Sequence, residues 1–209
     1  MGGLSTDQAQ AEPIVSPINC IFSDGVCQNS ANLGTITFDT ISSNTGGTGT
    51  DVQIVVTLNP NSDSSPRKVL ELMLNTTLLS DPGLTVSGDA STLTFSLNNV
   101  NADGCVNCFD IDIPATGNIG TSTTATLLLS AGATNLTRDM FFTTGANGAS
   151  DVDAAVHIGS VSGFPGGATS LFGGERPGTP VPEPASLLLL GSGLAGIGGW
   201  ARKRKNAQK

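Results

Sequence analysis

The chain contains no tyrosine, and its single tryptophan, Trp200, lies near the C-terminal end. Phenylalanine is therefore the only aromatic residue upstream of it. Sugar-binding surfaces usually present Trp or Tyr, which join a flat apolar ring to a polar handle, so a carbohydrate-binding module is disfavoured. Basic residues are equally scarce. Residues 1–200 carry four Lys and Arg against all seventeen Asp and Glu, a net charge of −13. Such a body repels nucleic acid and anionic lipid headgroups, and no nucleic-acid partner is expected. There is one histidine, His157. A Ser-His-Asp triad would have to use it, yet no G-x-S-x-G elbow accompanies it and no H-E-x-x-H zinc motif is present. Between Val156 and Ile158 it sits on the polar side of an alternating segment, as a solvated strand histidine. Met1–Pro13 has neither the basic region nor the apolar stretch of an export signal. Any such signal is expected upstream of the recorded start or to have been removed.

Against these shortages stands the C-terminal end. Val181, Pro182, Glu183 and Pro184 form a short rigid motif, an apolar run follows from 185 to 200, and Arg202, Lys203, Arg204 and Lys205 come almost last. Sixteen residues make a helix of roughly 24 Å, short of the roughly 30 Å hydrocarbon core. Five glycines in the run weaken it further as a helix. It is a marginal membrane helix, with Trp200 suited to the interface and the basic cluster held cytoplasmic as a membrane stop. A buried core segment would need no basic cluster directly behind it. The order of Pro182-Glu183-Pro184, apolar span and basic tail resembles the PEP-CTERM sorting signal of Gram-negative bacteria. The resemblance implies an exosortase-type membrane protease as partner, cleavage near the motif, transient residence in the inner membrane, and delivery to the envelope, surface or extracellular matrix. It also implies hosts that make exopolysaccharide and biofilm. It covers only the end of the chain and bears little on residues 1–180. In the same tail, Gly191-Ser192-Gly193-Leu194-Ala195-Gly196 spells G-x-G-x-x-G. A dinucleotide fold needs that turn inside a strand–helix–strand unit with an acidic residue about 20 positions on. No acidic residue follows Gly196, so a nucleotide site is excluded.

Export bears on the four cysteines, spaced Cys20-x6-Cys27 and Cys105-x2-Cys108. Disulfides are the expected state outside the cytoplasm, and of the three pairings open to four cysteines the two local ones, Cys20–Cys27 and Cys105–Cys108, are favoured. Thioredoxin-like chemistry at Cys105-x-x-Cys108 would place the motif at the start of a helix. Phe109-Asp110-Ile111-Asp112-Ile113 instead alternates like a strand. Zinc would need two further good ligands, and Cys20 and Cys27 have the wrong spacing.

Residues 33–163 read as about nine short strands with period-2 alternation. Segments 35–38, 51–58, 70–74, 109–113, 126–129, 140–143 and 154–161 alternate. Residues 84–86 and 93–97 flank Ser87–Ser91 as a predicted hairpin. Lys68–Leu79 has helical propensity, but its neighbours favour a strand. Gly-, Asn-, Ser- and Asp-rich loops separate the segments, and no long amphipathic helical stretch appears. The predicted fold is all-β: an antiparallel β-sandwich, with a closed barrel as runner-up and a transmembrane barrel disfavoured by long loops and short strands. Residues 159–184 hold seven Gly and five Pro. The predicted organisation is a disordered N-terminal segment 1–19, a sandwich domain 20–172, a linker 173–181 and a sorting signal 182–209, with an apolar helix 185–200 and a basic tail 202–209.

The remaining chemistry lies in carboxylates. Asp110 and Asp112 project from one strand face about 7 Å apart, Asp151 and Asp153 form a second D-x-D, and Asp103 lies in the loop before Cys105. Calcium wants 6–8 oxygen ligands, and neither pair matches an EF-hand or a nonapeptide repeat. These five are weak calcium candidates, and solvated Asp is the stronger reading. A glycosidase pair is weaker still, because an open strand face offers no cleft. Asn75-Thr76-Thr77 and Asn135-Leu136-Thr137 match the N-glycosylation pattern. Together the residues predict an exported, non-catalytic surface or matrix protein without an obligate cofactor. A glycan-binding module, with or without calcium dependence, is the alternative, and a secreted hydrolase the third.

Overall fold

A computed structural model describes residues 12–24, 26–42, 49–114, 123–132, 134–141, 152–162 and 170–174. Ten strands run in chain order: β1 Ile14–Ser23, β2 Val26–Ser42, β3 Thr50–Leu58, β4 Lys68–Leu74, β5 Thr85–Gly88, β6 Thr94–Ala102, β7 Cys105–Ile113, β8 Thr124–Ser130, β9 Ala154–Gly159 and β10 Ser170–Gly174. The only helical element among the described residues is a 3-10 turn, Arg138–Met140. Every ladder is antiparallel, and the strands follow one another in the order β5-β8-β3-β2-β1-β10-β9-β4-β7-β6. The all-β antiparallel class is as the alternation predicts. Two separate packed sheets are not what the described residues give: all ten strands belong to one continuous sheet.

The sheet curls on itself, because β4 approaches β3 and β8, which lie far from it in the strand order. The larger core fills that curl with Ile36 and Phe38 of β2, Val52, Ile54 and Val56 of β3, Leu72 and Leu74 of β4, Ile111 and Ile113 of β7, Leu127 and Leu129 of β8, and Val156 and Ile158 of β9. β-branched and leucine side chains at every second position account for it, since alternate residues of a strand share a face. A smaller cluster holds Cys20, Phe22, Cys27, Met73, Val100, Ala102, Cys105, Cys108, Phe109, Val152 and Ala155. Alternate residues of β4 and β9 go to different clusters, Leu72 and Val156 to the large one and Met73 and Ala155 to the small one. These central strands are therefore covered on both faces.

Several sequence expectations change. The hairpin predicted across 87–91 does not form: β5 pairs with β8 and β6 with β7, at opposite edges of the sheet. The cause is local. Gly88 has φ +93°, the Asp89 amide donates to the Thr126 carbonyl (2.9 Å), and the Asp89 carboxylate accepts from the Thr126 amide (2.7 Å). The segment is pinned to β8, and Ala90 is buried in the core, so the chain crosses over instead of turning back. Residues 140–141 are not a strand but the end of the 3-10 turn, where Phe141 is fully buried. The expected N-terminal boundary also moves. Ile14–Asn19 belong to β1, with Ile18 buried. Pro17 pairs with Thr35 of β2 and lies outside the stretch Cys20–Phe22 that β10 pairs, so β1 is laddered on one side only at this position. At the other end β10 runs to Gly174, which is buried. The chain divides into two compact units, Met1–Pro177 and Gly178–Lys209; the second lies outside the described residues.

Candidate functional site

Two hairpin tips meet at one place. Cys20 is bonded to Cys27 across the β1–β2 turn, and Cys105 to Cys108 at the start of β7, with Cα–Cα separations of 5.5 and 5.9 Å. The Asp24 amide donates to the Asp103 carbonyl at 2.8 Å, joining the two tips. Asp24, Asp103 and Asn107 all have positive φ, which Asp and Asn tolerate better than other side chains. Gly104 has φ +81°, and a Cβ there would collide with the Asp24 carboxylate. Beneath the tips Phe22 and Phe109 pack edge to face with ring centroids 5.6 Å apart. All four cysteines are buried. Buried sulfurs at the head of a strand have neither the exposure nor the helix N-terminus that activates a thiol.

The carboxylates proposed from sequence do not converge. Asp110 is only 2% exposed. Its Oδ2 accepts from the Thr76 amide (3.0 Å) and its Oδ1 from the Asn98 amide (2.7 Å). It is a buried clip, where sequence alternation predicted a solvent-facing residue. The reason lies in the partner strand: Phe95 pairs with Ile111 and Val100 with Phe109, so residues 96–99 of β6 arch over Asp110. Asp103 is exposed on the hairpin tip, and Asp153 is buried just before β9. Asp151 lies outside the described residues. Among those residues no group of three His, Cys, Asp or Glu is arranged to hold a metal ion. Asn75 of the first glycosylation pattern is buried, its amide donating to the Val152 carbonyl at 3.0 Å. Asn135 of the second is exposed, its side-chain oxygen accepting from the Thr50 amide at 3.1 Å.

Asp112 stands in a different group, which sequence reasoning did not assemble. Its neighbour is Glu71 on β4, and Glu71 faces His157 on β9, with Nδ1 3.3 Å from the carboxylate. The His157 ring stacks on Phe172 of β10, centroids 4.4 Å apart and planes 13° from parallel. Burial first, and then the Glu71 charge, push the Asp112 carboxyl up to about 6. The hydrogen bond from His157 holds Glu71 below the usual carboxylate range, against the opposing effect of burial. The arrangement depends on a bulge. Val69 pairs with Ile158 and Glu71 with His157, so Leu70 is the extra residue. The sequence predicts Leu70, Leu72 and Leu74 on one inward face. Instead Val69, Leu72 and Leu74 enter the core and Leu70 stays half-buried, which re-aims Glu71 as bulges do. No motif marks a bulge in a run of leucines, and register only emerges once β9 is in place.

The C-terminal residues supply the functional assignment. Residues 180–205 match the PEP-CTERM protein-sorting motif. The PEP-CTERM match takes in Val181, Pro182, Glu183 and Pro184 and the basic cluster Arg202, Lys203, Arg204 and Lys205. It marks the chain as one exported toward the envelope or surface and processed by an exosortase, a membrane protein. No curated protein and no solved structure matches the chain. Among the described residues no helix is long and apolar enough to cross a membrane; the segment 185–200, expected to be one, lies outside them, as do the motif and the basic tail.

Proposed function

We propose that the PEP-CTERM motif delivers a non-catalytic β-body to the cell surface or extracellular matrix, where it serves as a structural or exopolysaccharide-associated component. In this reading residues 185–200 sit transiently in the inner membrane, the basic tail holds them there, and exosortase cuts near Pro182–Pro184. The curled sheet then serves as a two-layer sandwich. The observation that carries the proposal is the motif at residues 180–205, placed behind a body whose four cysteines are all paired. Disulfides persist in oxidising compartments and are rare in the cytosol. The non-catalytic role draws support from Asp110, whose two carboxylate oxygens are engaged by backbone amides. No cofactor is assigned.

The test is the intact mass of the protein recovered from its native host, before and after reduction. The expected result is a chain shortened at the motif, gaining one hydrogen per cysteine sulfur on reduction. A full-length mass with four free thiols would mean that the chain was never exported, and the surface role would fall with it.

A further inference from the structure

The face of the sheet opposite the larger core carries one cluster of titratable side chains drawn from three adjacent strands. Asp112 comes from β7, Glu71 from β4 and His157 from β9, with Phe172 of β10 stacked on the imidazole. Met73 pairs with Asp112 across the β4–β7 ladder, so Asp112 lies beside the row that holds Glu71. Asp112 Oδ1 is buried without a hydrogen-bond partner, a poor setting for a full negative charge. Two carboxyl groups within hydrogen-bond reach of each other cannot both ionise freely, because like charges at that distance raise the affinity of one for a proton. The bulge at Leu70 brings Glu71 into the group.

We propose that Glu71 and Asp112 share one proton and act, with His157, as a proton-controlled clamp across β7, β4 and β9 that makes the body firmest in mildly acidic surroundings. The step is the release of one proton from Asp112 to solvent, which leaves two carboxylates side by side. The other charged side chains on the strands around the pair are few. β4 adds Lys68, paired with Gly159 at the far end of the β9 ladder. β7 adds Asp110, occupied by the Thr76 and Asn98 amides. β6 and β10 contribute none.

The sign follows from linkage. The Asp112 carboxyl is raised from its ordinary 3.8 to about 6. The folded body therefore holds a proton that the unfolded chain has given up. Its stabilising effect is full below the unfolded value and is lost as pH rises through about 6. Glu71, held low by His157, works in the opposite direction and at lower pH. The window in which the Asp112 proton acts is therefore the one around pH 6.

The experiment is thermal unfolding of the oxidised full-length chain across that range, for the wild type, Asp112→Asn and His157→Gln. The expected result is a wild-type midpoint that falls by a few degrees as pH rises, a fall that Asp112→Asn removes and His157→Gln retains. A wild-type midpoint that is level or rises, or a fall that survives in Asp112→Asn, overturns the proposal. So does a fall abolished by His157→Gln, since the imidazole would then carry it. Should Asp112→Asn not fold, NMR titration of the wild-type Asp112 side-chain carbon decides. A midpoint about two units above an ordinary Asp supports the shared proton, and an ordinary midpoint overturns it.

Discussion

Asp110 ties two segments together. Thr76 belongs to the loop after β4, and Asn98 to the arch of β6; one carboxylate accepts an amide from each. Asp110→Ala removes the acceptor and leaves two donors in poorly hydrated surroundings. The expected loss is about 2 to 3 kcal/mol, read as a lower urea midpoint for the full chain. Gly104 is a second point of tension. An alanine there would have to adopt φ +81° and push its Cβ into the Asp24 carboxylate, so Gly104→Ala should cost about 1 kcal/mol or more in the same measurement. Neither role was legible in the sequence. Alternation placed Asp110 on the outward face of its strand, and nothing in the residues themselves announces that a neighbouring strand will arch over it. Asp63 was equally silent: hydrogen bonds from Ser65 and Ser162 lower its carboxyl, tying loop 59–67 to the segment after β9.

At the scale of the element, the disulfides were readable and their meeting was not. Spacing and export favour the local pairs, because short loops are easily closed. That Asp24 and Asp103 would join the two tips depends on β1 and β7 coming together, and they are far apart both in sequence and in strand order. Each bridge closes a short loop, with sequence separations of 7 and 3. The chain-entropy argument gives about 2 kcal/mol for each. The Cys20→Ser, Cys27→Ser double variant and its Cys105→Ser, Cys108→Ser counterpart should each lose about that much by denaturant unfolding. Losing both pairs should cost more than the two losses added, because the tips share the Asp24–Asp103 hydrogen bond and the Phe22–Phe109 contact. Strand existence was legible wherever β-branched residues alternate, as in β3, β8 and β9. Pairing was not. Asp89 and Gly88 look like a turn in isolation and become a crossover only because Thr126 is there to receive them.

For the whole molecule, the sorting motif was the most legible feature, because it is a contiguous run of residues, 180–205, whose order can be read without knowing the fold. Replacing Pro182 and Glu183 with alanine should leave the body's unfolding midpoint unchanged. The same change should retain the uncleaved chain with the inner-membrane fraction, as fractionation and intact mass would report. The antiparallel β class was legible and the strand order was not, since the single sheet that the described residues form and two packed sheets present the same alternation to a reader of sequence.

The placement of β10 has a mechanical consequence. The chain leaves the described body toward its sorted end from a strand flanked on both sides, with three paired positions on β1 and five on β9. A pull on that end loads both ladders along their length, so their hydrogen bonds resist together in shear. Had the last strand been at an edge, the same pull would have fallen on one ladder alone. A body tethered or dragged by its C-terminal end is thus held there by two ladders instead of one.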